Sequence, residues 1–406
     1  MKNVEIKPNI YWVGAVDWAI RDFHGYITPR GSTYNNYLIM DSDITLVDTV
    51  HAEHTGDTIR NIRRLTEFGK IKNIVVNHIE SDHAGGLVSI KLLAPDAVVY
   101  CTDKAKKGLA RMFDISGWDI RVVKSGDTLS TGTKTLTFLE TPMLHWPDSM
   151  MTYIKEDRLL ISQDAFGQHL ASAQRFDDEF VGCASMEVLE DAVWDYYANS
   201  LMPFGSLILN KLAEVEKLGL EIDMIAPDHG IIWRAHPGKI LKMYADIASG
   251  YAEERVVVIY DTMWHSTEKM ARPIADGIKA ESMDVRVFKL RSTSTSEAMK
   301  EMWRARGCLI GSPTLNNTVF PEVGKFLDTM RGLRPKNRIV GAFGSCGWAG
   351  GAIKEILDDA KGLKLEVVEP GLQIISAPSS EDEETCFEFG RDFARKTREY
   401  HKNFAR

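Results

Sequence analysis

Four side chains that can bind a metal ion lie within six residues of one stretch, residues 77–86. They are His78, Glu80, Asp82 and His83. His78 and Glu80 are two residues apart, so an extended backbone projects both side chains to the same side. Asp82 and His83 are adjacent and diverge unless the chain turns. The stretch can therefore offer one pair of ligands to each of two metal ions; a polar turn whose histidines only cap a helix is the alternative.

The segments on either side predict where this stretch lies in the fold. Residues 71–76 are apolar and strand-like, and residues 87–93 are helix-like. The ligands are thus predicted on a loop at the end of a buried strand, where open α/β folds place their sites. His145, Asp164 and His229 each follow another strand-like segment. A lone histidine is usually structural, but if these strands share one sheet, their ends converge and favour a metal site.

Length and composition indicate a globular protein with two domains. The chain has 406 residues, of which 44% are hydrophobic and 26% are charged, and a single core rarely extends over so long a chain. The formal net charge of -8 argues against a nucleic-acid or anionic-membrane surface, because phosphate binding needs a basic face. No apolar run is long enough to span a bilayer, and residues 1–9 lack the apolar segment of a secretory signal.

The cysteines favour a reducing compartment. They are Cys101, Cys183, Cys308, Cys346 and Cys386. None belongs to a CxxC pair and their spacing suggests no disulfide framework, so we expect a cytoplasmic protein without a rubredoxin-type or zinc-ribbon module of its own.

The two halves of the chain differ in pattern. Short strands, at residues 10–16, 36–40 and 44–49, dominate the beginning, and strands and helices alternate afterwards. This predicts a mixed α/β sandwich. A cleaner α/β alternation begins near residue 250. Its predicted strands are residues 256–260, 285–290, 308–311, 339–343 and 365–368, with a helix at 268–279. Five parallel strands in a doubly wound, flavodoxin-like sheet are expected.

Three loops in the second half, at residues 261–267, 311–317 and 344–351, have the composition of flavin-binding loops. Hydroxyls and backbone N–H groups of the first loop, before a helix, would cradle a phosphate, although Ser266 and Thr267 could equally be N-caps. Glycines of the third loop let the backbone approach a flavin ring, and Trp264 and Trp348 could stack on that ring or simply pack. FMN is favoured over FAD because no GxGxxG fingerprint is present. The predicted FMN-binding residues are Thr262, Met263, Trp264, His265, Ser266, Thr267, Pro313, Thr314, Asn316, Asn317, Ser345, Gly347, Trp348 and Gly350.

The pattern of residues 78–83 resembles the HxHxDH signature of the metallo-β-lactamase superfamily, with Glu80 in place of the middle histidine. In that respect it is similar to the flavodiiron proteins, and the resemblance extends from about residue 11 to the C-terminal helix. A carboxylate at this position suits iron better than a histidine-rich site, which suits zinc. The resemblance implies a metallo-β-lactamase-like diiron domain at residues 1–250 and a flavodoxin-like FMN-binding domain at residues 251–406.

The same resemblance implies a ligand set. One iron would be held by His78, Glu80 and His145, and the other by Asp82, His83 and His229. Asp164 would bridge the two irons. Tyr197 and His24 match family residues close to the metals. The three carboxylates then oppose the four positive charges of two ferrous ions.

A diiron site with FMN implies an oxidoreductase. The resemblance implies four-electron reduction of dioxygen to water, with electrons from an external donor, rubredoxin or reduced coenzyme F420. Reduction of nitric oxide to nitrous oxide at the same site is the alternative. A zinc hydrolase and a flavin electron shuttle with an inactive metal domain are less consistent with Glu80 and with the complete ligand set. A head-to-tail homodimer, or a dimer of dimers, is implied by the resemblance.

Overall fold

The structure, a computed structural model, describes residues 3–404. The chain forms two compact units. The N-terminal unit contains the residues up to Tyr196 together with Ser206–Ala245, and the C-terminal unit contains Tyr197–Gly205 and the chain from Asp246 onward. The domain boundary between residues 250 and 251 stays a prediction. Within residues 3–404, no helix combines the length and the apolar character that crossing a membrane requires.

Residues 3–250 contain sixteen strands and eight α-helices. The strands are β1 (Val4–Lys7), β2 (Ile10–Trp12), β3 (Ala15–Asp17), β4 (Asp22–Phe23), β5 (Tyr26–Ile27), β6 (Ser32–Tyr34), β7 (Tyr37–Ile39), β8 (Ile44–Val47), β9 (Ile71–Val75), β10 (Val98–Cys101), β11 (Ile120–Val122), β12 (Thr128–Ser130), β13 (Thr135–Glu140), β14 (Met150–Ile154), β15 (Leu159–Gln163) and β16 (Met224–Pro227). The helices are α1 (Thr55–Arg63), α2 (Ser81–Ala84), α3 (Leu87–Leu93), α4 (Asp103–Met112), α5 (Asp177–Cys183), α6 (Met186–Tyr196), α7 (Gly205–Lys217) and α8 (Pro237–Ala248).

Two main sheets pack face to face in the N-terminal unit. The order of the first is β1-β2-β7-β8-β9-β10-β11, and that of the second is β12-β13-β14-β15-β16. Alternate residues of both sheets, among them Tyr37, Phe138 and Ile161, form one buried core between them. A second core lies on the other face of the first sheet, where Ile62, Leu87 and residues of α4 pack. The predicted mixed α/β sandwich is confirmed.

The strand predicted at residues 10–16 is interrupted. β2 ends at Trp12, and β3 pairs with β6 in a separate two-stranded sheet. At the break, a Cβ on Gly14 would lie 2.1 Å from the carbonyl oxygen of Tyr34. Only glycine permits this close approach, so the chain changes partner strand at this position.

The C-terminal unit is a doubly wound parallel sheet with helices on both faces. Its strands are β17 (Glu253–Tyr260), β18 (Asp284–Lys289), β19 (Ala305–Gly311), β20 (Ile339–Cys346), β21 (Glu366–Val367) and β22 (Leu372–Ile375). Its helices are α9 (Ser266–Ala280), α10 (Thr295–Arg304), α11 (Pro321–Leu333), α12 (Ala352–Gly362) and α13 (Ser380–Lys402). The order β18-β17-β19-β20-β21 is the predicted flavodoxin-like one.

The prediction of five strands is incomplete, because β22 adds a sixth. β21 pairs only with the beginning of β20, at Ile339 and Val340. β22 pairs in parallel with the remainder of β20, Phe343–Cys346. Those backbone groups are buried and need hydrogen-bond partners, which a second short strand supplies.

We expect Phe138→Ala to lower the free energy of unfolding by about 3–5 kcal/mol, because the ring is fully buried between the two sheets and its loss leaves a cavity. Urea titration followed by circular dichroism measures this loss. Leu92→Ala, at a side chain that is 78% exposed, is the control and should change stability by less than about 0.5 kcal/mol. Equal losses in the two variants would contradict the assigned core.

Candidate metal centre and flavin site

The loop and short helix after β9 carry the first four candidate ligands. His78 and Glu80 lie on the loop, and Asp82 and His83 lie on α2. The backbone N–H of His83 donates to the carbonyl oxygen of Glu80 at 2.9 Å. This helical turn is what keeps Asp82 and His83 on the same site although they are neighbours in the chain.

The other three candidates come from loops at one end of the second sheet. His145 follows β13, Asp164 directly follows β15, and His229 follows β16. All three strands belong to the same sheet. All seven predicted ligand residues therefore lie together, buried or nearly so, in two clusters of potential ligand atoms.

The seven residues form two clusters, and the resemblance implies the same pairing of ligands, with Asp164 between the two ions. One contains His78, Glu80, His145 and Asp164, and the other contains Asp82, His83 and His229; within each, the ligand atoms are within 4.8 Å of one another.

Asp164 faces both clusters with different oxygens. Its Oδ2 lies 3.3 Å from Nε2 of His145 and 3.5 Å from Nε2 of His78. Its Oδ1 lies 3.1 Å from Nε2 of His83 and 3.5 Å from Nε2 of His229. This is the geometry of a carboxylate that bridges two ions.

Hydrogen bonds to His78 and His229, and an ion-pair contact to His83, hold the far sides of these three imidazole rings in place. Nδ1 of His78 lies 3.0 Å from Oδ2 of Asp148, and Nδ1 of His83 lies 3.2 Å from Oδ2 of Asp228. Nδ1 of His229 donates to the carbonyl oxygen of Thr33 at 2.6 Å. Each contact leaves Nε2 directed at the cluster.

Sequence reasoning missed Asp148 and Asp228 as orienting residues. Both lie in segments already singled out, since Asp148 is three residues after His145 and Asp228 directly precedes His229. A carboxylate beside a candidate histidine is the signal that could have identified them.

Several buried polar atoms of the clusters make no hydrogen bond within residues 3–404. They are Nε2 of His83 and of His145, Oδ1 of Asp82 and Oδ2 of Asp164. Buried polar atoms are costly unless a partner satisfies them. Nε2 of His145 lies 3.3 Å from Oδ2 of Asp164, and Nε2 of His83 lies 3.1 Å from Oδ1 of Asp164; these distances are compatible with cations lying between the atoms. Mixed imidazole and carboxylate donors suit iron, so the residues fit a diiron centre.

The electrostatics of the clusters point to the same conclusion. Burial lowers the pKa of His78, but the carboxylates of Asp148, Glu80 and Asp164 outweigh it and raise that pKa to about 10. Burial similarly lowers the pKa of His145, whereas Asp164 and Glu80 raise it to about 9. The surrounding histidines hold the pKa of Asp164 well below its usual range in spite of burial. The buried anionic carboxylates therefore need positive charge beside them in the clusters, and metal ions supply that charge in place of protons.

His24 lies beside the first cluster, as the resemblance implies. Its Nε2 is 2.7 Å from Oε1 of Glu80, and its ring centroid is 6.0 Å from that of His145. Trp146 also lies at the site, with its ring 5.3 Å from that of His78. Trp146 and Met143 are each more than one-third exposed, so the centre is close to the surface on this side.

The tyrosine at the centre is Tyr196, which corrects the expectation for Tyr197. The Tyr196 ring lies 5.1 Å from His169 and 6.3 Å from His229, and burial together with the nearby Asp164 carboxylate raises the pKa of its hydroxyl well above the usual value. Tyr197 is fully buried in the segment that belongs to the C-terminal unit. Helix α6 ends at Tyr196 and a π-helical turn follows, so the two adjacent side chains point in different directions.

His169 is a further residue of this site that sequence reasoning missed. Its ring lies 4.8 Å from that of His229 and 4.3 Å from that of Phe23, and its Nδ1 is 2.8 Å from Oγ of Ser32. Burial holds its pKa well below the usual range, and the nearby His229 adds to the effect. The imidazole is therefore neutral. No local motif surrounds His169 in the sequence.

In the C-terminal unit, a cleft of ≈ 210 Å³ lies where the three predicted flavin loops meet. Its lining includes predicted residues from all three loops. They are Thr262, Met263, Trp264, Ser266, Pro313, Thr314, Ser345 and Gly347. Cys346, Ser376 and Ala377 also line the cleft and were not predicted. Ser376 and Ala377 follow β22, the strand that the sequence did not reveal.

Hydrogen bonds to Asp261 fix the first flavin loop, and the hydroxyl of Thr262 remains available to a ligand. Oδ1 of Asp261 accepts from the backbone N–H of Thr262 and from Nε of Arg291, at 2.6 and 3.0 Å. Oγ1 of Thr262 is buried and, in the part of the chain that the structure describes, makes no hydrogen bond. Because the loop also leads into the N-terminus of α9, the residues fit the phosphate of FMN.

The remaining predicted flavin residues lie at the loops but do not line the cleft. His265 pairs with Glu268 at 2.7 Å, and Oγ1 of Thr267 is 3.4 Å from Oγ of Ser345. Asn316 and Asn317 adopt positive φ values of 52° and 63° in a turn.

Gly350 and Trp348 complete the third loop. A Cβ on Gly350 would lie 2.0 Å from the side-chain oxygen of Gln373, so glycine is required there for packing. Trp348 and Trp264 are 91% and 80% exposed; packing in the core is excluded for both.

Both parts of the chain match families of known proteins. Residues 33–230 match the family of ODP beta lactamases, and residues 258–390 match the flavodoxin family. A nitric oxide reductase of Moorella thermoacetica is 46% identical over 394 residues, which cover 96% of this chain and 98% of that protein. An anaerobic nitric oxide reductase flavorubredoxin of Escherichia coli is 40% identical over 402 residues, 97% of this chain and 82% of that protein.

Two solved structures are similar to nearly the whole chain. The rubredoxin oxygen:oxidoreductase of Desulfovibrio gigas has a TM-score of 0.94 at 36% identity and covers 98% of this chain and 99% of its own. The flavodiiron protein of Giardia intestinalis has a TM-score of 0.95 at 31% identity, with 100% and 99% coverage.

The N-terminal sandwich carries a ligand cluster for two ions, and the flavodoxin-like unit that follows it carries a flavin cleft. Together these features define an oxidoreductase with two redox cofactors. The chain belongs to the flavodiiron protein family. Membership implies FMN and a diiron centre as its cofactors.

We expect Asp148→Asn to weaken iron binding by about 10–100-fold, because the His78 imidazole loses the carboxylate that orients it. Competition with a ferrous chelator measures this affinity. Asp96→Asn, at an exposed aspartate of the same unit, should bind iron like the unaltered protein. An unchanged affinity in Asp148→Asn would argue against the orienting role.

We expect Thr262→Val, which keeps the shape of the side chain, to weaken FMN binding by about tenfold, because a hydroxyl that can bind a charged phosphate is lost. Fluorescence titration of flavin-free protein measures this, while iron content should stay unchanged. Thr329→Val, at a half-buried position on α11 away from the flavin loops, is the control. Loss of both cofactors from Thr262→Val would contradict the assignment of separate sites.

Proposed function

We propose that this flavodiiron oxidoreductase reduces dioxygen to water at the cluster formed by the seven ligand residues. Asp164 is the observation that carries the proposal, because each of its two oxygens faces one of two complete ligand clusters. FMN and two irons would supply the electrons and the binding positions for the gas. The proposed ligands are His78, Glu80, His145, Asp82, His83, His229 and the bridging Asp164.

The side chains around the cluster support chemistry that consumes protons. His24 donates from Nε2 to Glu80 and so keeps that carboxylate anionic and oriented. The hydroxyl of Tyr196 and Nε2 of His169 lie on the side of His229, and Nε2 of His169 is a buried atom that makes no hydrogen bond with any residue between 3 and 404. These two groups can donate hydrogen bonds to a reduced ligand. The rings of Phe23 and Tyr34 help to exclude bulk water there.

Nitric oxide reduction is the second candidate function. It is favoured by the names of two relatives, the nitric oxide reductase of Moorella thermoacetica and the flavorubredoxin of Escherichia coli. The name of the Desulfovibrio gigas protein favours oxygen and a rubredoxin donor. Both gases are neutral diatomic molecules, so the same ligand cluster suits either.

The proposal also includes the electron donor and the oligomeric assembly. We infer rubredoxin as the donor, with reduced F420 as the alternative, and a cytoplasmic head-to-tail homodimer or dimer of dimers. Trp264 and Trp348 are exposed beside the flavin cleft, and Trp146 and Met143 are partly exposed beside the metal centre. Apolar side chains grouped at two redox sites support docking of protein surfaces there.

We expect His83→Asn and Asp164→Ala to lower iron content and to abolish gas consumption, because each removes a ligand from a buried charged cluster. Iron analysis and electrode assays measure the two effects. His236→Asn, an exposed histidine outside the cluster, should retain both properties. Normal iron content together with normal rates in either ligand variant would refute the ligand assignment.

The choice of gas is tested by holoprotein that receives reduced rubredoxin under anaerobic conditions. Oxygen and nitric oxide consumption are followed in parallel with electrodes, and peroxide is assayed. Faster oxygen use without peroxide is the expected result. Faster nitric oxide use, with inactivation by oxygen, would make the second candidate the function. If neither gas is consumed, the same assay is repeated with reduced F420 as the electron donor.

A further inference from the structure

A small apolar cavity lies on the outer face of the second sheet of the N-terminal unit. Met151 and Leu160 of the sheet form its floor. Their neighbours Met150, Leu159 and Ile161 face the opposite side, into the core between the sheets, as the alternation along a strand requires. The cavity is thus separate from that core.

Helices α7 and α8 form its roof. Ile208, Leu212 and Val215 line it from α7 at helical spacing, and Leu241 and Tyr244 line it from α8. Residues at the inner end are fully buried, whereas Leu212, Val215 and Leu241 are only half-buried. The cavity therefore extends from near the surface into the interior.

The inner end of the cavity is formed by chain neighbours of two proposed ligands. Leu144 directly precedes His145, and Phe166 is two residues after Asp164. The Phe166 and Tyr244 rings are in contact there, with centroids 4.6 Å apart. A molecule held in the cavity would lie behind the loops that carry these ligands.

The cavity has the size and chemistry for a small gas molecule. The space open to the centre of a water-sized sphere is about 20 Å³, which exceeds the roughly 10–15 Å³ needed for one water molecule. A water molecule needs several polar partners, and the lining is apolar except at Lys211 and the Tyr244 hydroxyl. Apolar cavities of this kind stay dry and bind apolar ligands such as xenon.

We propose that this cavity binds a neutral diatomic gas and is a route by which the gas reaches the metal centre. The identity of the gas, dioxygen or nitric oxide, rests on the proposed function. The surface near Trp146 and His24 is polar and charged around the ligands, whereas the cavity offers an apolar path in which these weakly hydrated molecules concentrate.

The first test is xenon binding by crystals of the holoprotein. We expect an anomalous peak between α7 and β15 in the unaltered protein. Ile208→Phe fills the cavity and should abolish the peak. Leu207→Phe changes the neighbouring residue, which is exposed on the same helix and does not line the cavity, so it should retain the peak. Absence of xenon from the unaltered protein would overturn the proposal.

The second test is the second-order rate constant for oxidation of the reduced holoprotein by dioxygen, followed by stopped-flow absorbance of FMN. We expect Ile208→Phe to lower it by roughly three- to tenfold, with kcat at saturating gas unchanged, and Leu207→Phe to leave it unchanged. A rate constant for Ile208→Phe equal to that of the unaltered protein would overturn the proposed route.

Two further controls keep these outcomes separate from misfolding and from the function itself. Iron and FMN content verify each variant, and Leu212→Phe at the half-buried outer end replaces Ile208→Phe if the larger ring prevents folding. Unaltered protein that reduces neither gas with reduced rubredoxin or with reduced F420 would refute the proposed function, whereas the xenon peak depends only on the cavity and decides the binding site independently.

Discussion

The buried carboxylate of Asp164 is the constraint on which the metal centre depends. It lies within 3.5 Å of four imidazole nitrogens that belong to two ligand clusters. Such a density of charge in the interior is unfavourable unless it is neutralised and hydrogen-bonded. Outer contacts with Asp148, Asp228 and the Thr33 carbonyl hold the histidines in position. The remaining inner atoms without partners define where cations belong.

Both redox sites are formed by loops at the carboxyl ends of β-strands. In the N-terminal unit the ligands follow β9, β13, β15 and β16, and in the C-terminal unit the flavin loops follow β17, β19, β20 and β22. Loops that leave the same end of one sheet, or of two packed sheets, lie close together, so residues far apart in sequence converge without any long excursion of the chain. The rigid sheets hold the ligands, and the loops remain free to carry chemistry.

The amino-acid sequence alone determined the class of fold and predicted the metal-ligand candidates and the three flavin loops, whereas the division of those ligands between two irons came from the resemblance to flavodiiron proteins. These features are local: His78, Glu80, Asp82 and His83 form a compact pattern, and each remaining ligand follows a recognisable apolar strand. Strand and loop patterns depend on side-chain alternation and turn chemistry, which can be read residue by residue. The order of the C-terminal sheet followed from the same regular alternation.

Tertiary structure alone decided the features that depend on direction and on distant partners. Tyr196 rather than Tyr197 faces the ligands because α6 changes to a π-helical turn between them. Asp148, Asp228 and His169 acquire their roles only through contacts with residues far away in the chain. β22 forms because part of β20 would otherwise be unpaired, and the cavity beneath α7 exists only where helices and sheet pack imperfectly. Sequence patterns specify which face of an element is apolar, whereas the approach of two elements depends on the packing of the whole unit.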